Sequence, residues 1–330
     1  MSNLHRPVDQ AMAELRPEKM AIRHLWVDEV RRVVEEYPNS EVPWYLTLSG
    51  GEGQDIQLLI EEGLISTTEV DSIAQEDQHR IVAVERNSRA IADLQRRFAG
   101  LWIKEADFQN LVRGEGQFSW PQGEDYDVCR ARVVNLDLNT PLKGRRDEGR
   151  IVFPVLEWIR KLCQVHSRPP RTDWTLLLTL HGEAVWPEEV NEWTQGFLLD
   201  NMGREPYFAE SCRAFLGKEL CAIVTQDDGT DWTELEREVQ QRLIMVMVPK
   251  IISQLVHNQG WRVRTQRNLA YGGGDVAGMT TWVLEFTSDE DAVATPDSLY
   301  RAALRDILEH AGVVDEDGTI HQHDWPDEGG

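Results

Sequence analysis

Apolar residues recur at helical spacing near the start of the chain, at Val8, Met12 and Leu15, then at Ile22, Leu25, Trp26, Val30, Val33 and Val34. This predicts one or two helices over 8–37, with Pro17 as a break and Pro38-Asn-Ser-Glu as the stop. From Tyr45 the pattern changes. A short apolar run to Leu48 predicts a strand, which breaks at Ser49-Gly50-Gly51-Glu52-Gly53. Ile56, Leu59 and Ile60 then resume at helical spacing. The alternation repeats with Ile81-Val-Ala-Val-Glu85 and a helix over 88–98, and with Leu101-Trp-Ile103 followed by Asp107. Val133-Val-Asn-Leu-Asp137 predicts a fourth strand ending on its acid, and 151–165 a helix. A fifth strand starts at Trp174 and ends at His181-Gly182, with a helix from Glu188. Strands alternating with helices imply an α/β fold around a parallel sheet.

The later chain departs from that rhythm. Residues 209–216 predict a helix, and Leu220-Cys-Ala-Ile-Val224 fits a helix or a strand. Residues 233–258 predict a long helix that Pro249 should kink or divide. Two β-rich runs, Trp261 to Tyr271 and Met279 to Phe286, flank Gly272-Gly-Gly-Asp275 and predict an antiparallel hairpin. A helix over about 297–311 and a polar, acidic, mobile tail close the chain.

A strand, a glycine-rich turn and a helix can set backbone N–H groups and a helix N-terminus against a cofactor. Glu85, Asp107 and Asp137 fall at strand C-terminal ends, the edge where open α/β sheets bind ligands. Here the chain resembles the class I, Rossmann-like S-adenosylmethionine-dependent methyltransferases, over roughly Trp44 to Thr287. The family's first motif is an acid followed by glycines at alternate positions. Thr47-Leu-Ser-Gly-Gly-Glu-Gly53 aligns with it at Gly51 and Gly53, with Thr47 in place of the acid and Ser49 in place of the first glycine.

The resemblance implies a seven-stranded, mostly parallel sheet with helices on both faces and a last strand inserted antiparallel. Residues 1–40 would form an N-terminal helical extension, 41–290 the cofactor-binding domain and 291–330 a C-terminal helix and tail. It implies S-adenosylmethionine as cofactor, with Ser49, Gly50, Gly51 and Gly53 around its methionine portion and Glu85, with Arg86 beside it, at the ribose hydroxyls. Asp107 and Phe108 would hold the adenine. Asp137 would lie at the reacting end, and His181 is the second catalytic candidate.

Asn139-Thr-Pro-Leu142 matches the acceptor motif of amino-group DNA methyltransferases only at Asn139 and Pro141, and lacks the aromatic ring that would stack on a flipped base. Lys143, Arg145, Arg146, Arg262 and Arg264 could line a pocket for an anionic substrate or pair with neighbouring carboxylates. The net charge of -23 works against non-specific nucleic-acid binding, so a protein or small-molecule acceptor is expected. Four widely spaced cysteines without a CxxC pair predict buried, reduced thiols and no metal site, and thus a cytoplasmic protein. No apolar run is long enough to span a membrane. A different class of function remains open: a degenerate methyltransferase-fold subunit acting as a cofactor-binding or protein–protein scaffold. A nucleotide-dependent oxidoreductase also suits Glu85 but not the terminal hairpin.

Overall fold

The computed structural model describes residues 16–68, 72–113, 129–225, 231–272, 278–288 and 306–323. The first half of the chain gives α1 (Pro17–Glu36), β1 (Tyr45–Thr47), α2 (Gln54–Glu61), β2 (Ile81–Glu85), α3 (Ser88–Arg97), β3 (Trp102–Glu105) and α4 (Phe108–Arg113). Next come β4 (Val133–Leu142), a small hairpin of β5 (Arg145–Asp147) and β6 (Arg150–Val152), α5 (Pro154–His166) and β7 (Trp174–Ala184). Helices α6 (Glu188–Arg204), α7 (Pro206–Leu216), α8 (Lys218–Thr225) and α9 (Arg237–His257) follow. The chain then forms β8 (Trp261–Tyr271), β9 (Met279–Ser288), α10 (Asp306–Glu309), β10 (Ala311–Val314) and β11 (Ile320–Gln322).

The main sheet runs β3-β2-β1-β4-β7-β9-β8-β10-β11. From β3 to β7 every pairing is parallel; β9 lies antiparallel between β7 and β8, as expected of the terminal hairpin. The expected seven strands are therefore nine among the described residues. Strand β10 pairs parallel with β8, and β11 closes the edge antiparallel. Residues expected to form a mobile tail thus extend the sheet. Of the helix expected over 297–311, residues 306–311 are described: Asp306–Glu309 is helical, and Ala311 already begins β10.

The interior strands read as continuous apolar runs because both of their faces are covered. One face packs Leu176, Leu178, Leu180 and Trp282 under α5 and α9; the other packs Tyr45, Ile81, Ala83, Leu177 and Val283 under α1, α2 and α3. Helix α1 supplies Ile22, Trp26, Val27, Val30 and Val33 to that second core. Pro17 starts this helix, since the first turn needs no N–H from it. Val8, Met12 and Leu15 lie outside the described residues.

Several boundaries differ from expectation. Strand β4 continues past Asp137 to Leu142 with register shifts after Asp137, and β7 continues past His181 to Ala184. The helix expected from Ile151 begins at Pro154, because Ile151 pairs with Arg146 in the β5–β6 hairpin. Leu220–Val224 is helical, within α8. The long helix starts at Arg237, after a 3₁₀ turn over Trp232–Glu234, and runs unbroken through Pro249. Proline withholds the N–H that Met245 O would accept, and the buried Asn268 Nδ2 donates to that carbonyl instead, over 2.9 Å. All four cysteines are buried and free.

Candidate functional site

Strand β1 delivers the chain to a turn that only glycine makes easily. Gly50 and Gly53 have φ of 56° and 55°, in the left-handed region. Gly53 also caps α2, and a Cβ there would stand 2.6 Å from the Phe98 ring. The turn, the start of α2, the exposed end of β4 and the overlying α1 enclose a cavity of about 370 Å³. This is within the range of small-molecule sites, about 300–1,000 Å³.

The cavity floor is a buried polar network. Tyr45 Oη and Thr47 Oγ1 both donate to Asp55 Oδ2, over 2.8 and 2.5 Å, and Asn135 Nδ2 donates to Tyr45 Oη over 2.6 Å. Burial, and then the Asp55 carboxylate, raise the Tyr45 pKa well above its ordinary value, so the phenol stays a donor. Asp55 lies in the first turn of α2, where the helix dipole favours negative charge.

Three residues lining the cavity bury a polar atom without a hydrogen-bond partner: Trp26 Nε1, Ser49 Oγ and Asn135 Oδ1. Each such atom costs about 1–3 kcal/mol if it stays unsatisfied. Helix α1 adds Lys19 and Arg23 to the wall. Lys19 Nζ reaches Asp137 Oδ2 at 3.4 Å, and Arg23 is almost wholly buried. The cavity therefore brings together donors and cations from α1 with carboxyl and carbonyl acceptors from α2 and β4.

Of the residues singled out by the sequence, Ser49, Gly50, Gly51 and Asp137 line this cavity. Gly53 shapes the turn beneath it. His181 is one hydrogen bond away, with Nε2 2.6 Å from Oδ1 of the cavity residue Asn139. Burial lowers the His181 pKa, partly opposed by Glu183. Asp137 does not end its strand, yet it lies past the last pairing of β4 with β1, at Asn135, so it reaches the open edge.

Glu85, Arg86, Asp107 and Phe108 form a separate group at the ends of β2 and β3. Glu85 Oε1 accepts the backbone N–H groups of Arg86 and Asn87, at 2.7 and 2.8 Å. Arg86 bridges to Asp107 Oδ2 at 2.8 Å, and Asp107 Oδ1 accepts the Gln109 N–H at 2.9 Å. Phe108 is buried, edge-on to Trp158. None of the four lines the cavity.

Sequence reasoning missed Asp55, Asn135, Lys19, Arg23 and Trp26 as site residues. Asn135 carried a signal, a lone amide inside the apolar run Val133-Val-Asn-Leu. Among the described residues, no His, Cys, Asp and Glu cluster is placed to hold a metal ion, and no helix is long and apolar enough to cross a membrane.

No family model matches the chain, and no curated protein matches it either. Solved structures similar to it include the plantazolicin methyltransferase BpumL, crystallised with a pentazolic desmethylPZN analog and SAH. That match has 8% identity and a TM-score of 0.36, covering 86% of this chain and 92% of that one. A second BpumL complex, with a triazolic analog and SAH, gives 9% identity, a TM-score of 0.36 and the same coverage. A possible exported protein from Bordetella parapertussis gives 13% identity and a TM-score of 0.33, covering 86% of this chain and 74% of that one.

Proposed function

We propose that the chain is an S-adenosylmethionine-dependent methyltransferase whose cofactor occupies the cavity at the end of β1. The observation that carries this reading is the set of orphaned polar atoms around the glycine turn, together with the Asp55 carboxylate. The methionine end of this cofactor is a zwitterion. Its ammonium would take Asp55, Asn135 Oδ1 and Ser49 Oγ; its carboxylate would take Trp26 Nε1, Lys19 and Arg23. Gly50 and Gly51 keep the turn free of side chains, and Gly53 fixes its path. Glu85 and Arg86 would receive the ribose, and Asp107 with Phe108 the adenine, along the neighbouring strand ends. The insertion of β9 between β7 and β8 is the second support, since the resemblance implies this arrangement.

Bound there, the cofactor would supply an electrophilic methyl group to a nucleophile on a protein or small-molecule acceptor. Asp137 would orient the reacting end, and His181 would accept the acceptor's proton. Burial lowers its pKa and so favours the neutral imidazole that a base must present. Asn139 holds the His181 ring in place.

Calorimetric titration with S-adenosylmethionine and S-adenosylhomocysteine, on wild type, Asp55→Asn and Glu85→Ala, tests the reading. Saturable binding weakened by both substitutions supports it. Ligand at about 100 times its dissociation constant would also stabilise the fold by about 2.7 kcal/mol. Absence of binding at millimolar ligand defeats the cofactor assignment. Binding with no methyl transfer to any acceptor favours a scaffold subunit that retains the cofactor.

A further inference from the structure

A second cavity, of about 760 Å³, opens at the same edge of the sheet but on its opposite face. Gly182 and Gly278 line it, and the Gly182 N–H donates to the Gly278 carbonyl over 2.8 Å. The adjoining residues turn the other way: Met279 lines the first cavity, and His181 bonds to Asn139 there.

The inner surface of this second cavity is apolar, formed by Phe215 from α7, Met245 from α9 and Ala270 from β8. The outer wall comes from β10 and β11, the strands added beyond the expected seven. Val313 lines it, and His323 meets the Phe215 ring edge-on at 5.1 Å. The mouth is charged. Glu183, Glu236 and Glu238 face Arg237 and Arg242, and Arg237 is already engaged by Glu183 at 3.2 Å. His321 on the same rim is held by Asp315 at 2.7 Å. The lining carries three carboxylates against two guanidinium groups, and the chain's net charge of -23 adds a field that draws in cations.

We propose that this second cavity binds an organic amine with an apolar or aromatic body, the body against Phe215 and Met245 and the cationic nitrogen at the acidic mouth. That the amine is the methyl acceptor rests on the function proposed above; that it binds does not. As acceptor, the bound ammonium would first give one proton to His181; its neutral nitrogen would then form the N–C bond while the sulfonium S–C bond breaks, and the proton in excess on the methylated amine would leave to solvent through the open mouth.

Tryptamine and indole-3-propionate, similar bodies of opposite charge, are suitable probes for calorimetry on the full chain. Tryptamine should bind saturably, at least tenfold more tightly than the acid. Val313→Trp, at a position 54% exposed and so tolerant of a large ring, should fill the cavity and weaken tryptamine at least tenfold. Glu238→Gln should narrow the preference for the amine. No tryptamine binding at millimolar concentration, equal or tighter binding of the acid, or binding indifferent to Val313→Trp would each overturn the proposal. Titration of the same protein with S-adenosylhomocysteine separates the two ideas. A chain that binds tryptamine but not the cofactor keeps this site and loses the acceptor role.

Discussion

The Thr47 hydroxyl, at the end of β1, donates to Asp55 Oδ2 over 2.5 Å, in the first turn of α2. The negative charge that the resemblance would put on residue 47 stands instead on the next helix, in contact with residue 47. Thr47→Val removes one of the two hydroxyl donors to that carboxylate and should cost about 1.5–3 kcal/mol, read by urea denaturation. Asp55→Asn should weaken S-adenosylhomocysteine at least tenfold in calorimetry. Unchanged affinity would remove Asp55 from the ammonium site.

The two left-handed glycines of the turn should respond differently to alanine. A Cβ at Gly50 would point into open space, so Gly50→Ala should cost only the backbone strain, about 1–2 kcal/mol. Gly53→Ala drives a methyl group to 2.6 Å from Phe98 and 3.0 Å from Leu94. A further penalty of about 1–3 kcal/mol should follow. Equal destabilisation of the two variants in chemical denaturation would contradict this account of the turn.

The pairing of Pro249 with Asn268 is open to a double-mutant cycle. Asn268 Nδ2 donates to Met245 O and Ile307 O, both at 2.9 Å. Asn268→Ala in the wild-type background should cost about 2–4 kcal/mol, since it leaves two buried carbonyls without this donor. Pro249→Ala restores a backbone N–H for Met245 O. In that background the same substitution should cost about 1 kcal/mol less. Strict additivity would mean that Asn268 does not compensate for the proline.

His166 predicts an acid-side loss of stability. The ring is fully buried and stacked on Trp174 at 4.7 Å, with Nδ1 3.0 Å from Thr172 Oγ1. Burial, and then the Arg130 and Arg132 guanidinium groups, push its pKa down to about 3. The unfolded chain, with a histidine pKa near ~6.5, binds the proton first as pH falls. The stabilisation is therefore complete above about pH 6.5 and declines by about 1.4 kcal/mol per unit towards pH 3. His166→Phe, which keeps the ring stack, should flatten this part of the stability profile.

The alternating strands were legible because their apolar runs are covered on both faces, and the terminal hairpin because Gly272–Asp275 separates two β-rich runs. Ser49 to Gly53 announced a tight turn through its glycines alone. The network beneath the turn was not legible, because its members are close only after folding. Asn135 meets Tyr45 across 90 residues, and Lys19 of α1 meets Asp137 from a helix whose sequence shows only an apolar stripe. Strand β11 escaped notice for another reason. Ile320-His-Gln is exposed throughout, so it carries no alternation of apolar and polar residues to mark a strand.

The placement of β9 between β7 and β8 has a consequence for the chain during synthesis. Strands β1, β2, β3, β4 and β7 are complete by Ala184, but the strand that covers the free edge of β7 ends only at Ser288. Until then Leu176, Leu177, Leu178 and Leu180 lie along an unpaired apolar edge, a template for pairing with another nascent chain. A ribosome adding about 5–20 residues per second leaves that edge bare for roughly 5–20 s. Yield on expression should therefore depend on translation speed between β7 and β9 and on chaperone supply, more than the stability of the finished protein would suggest.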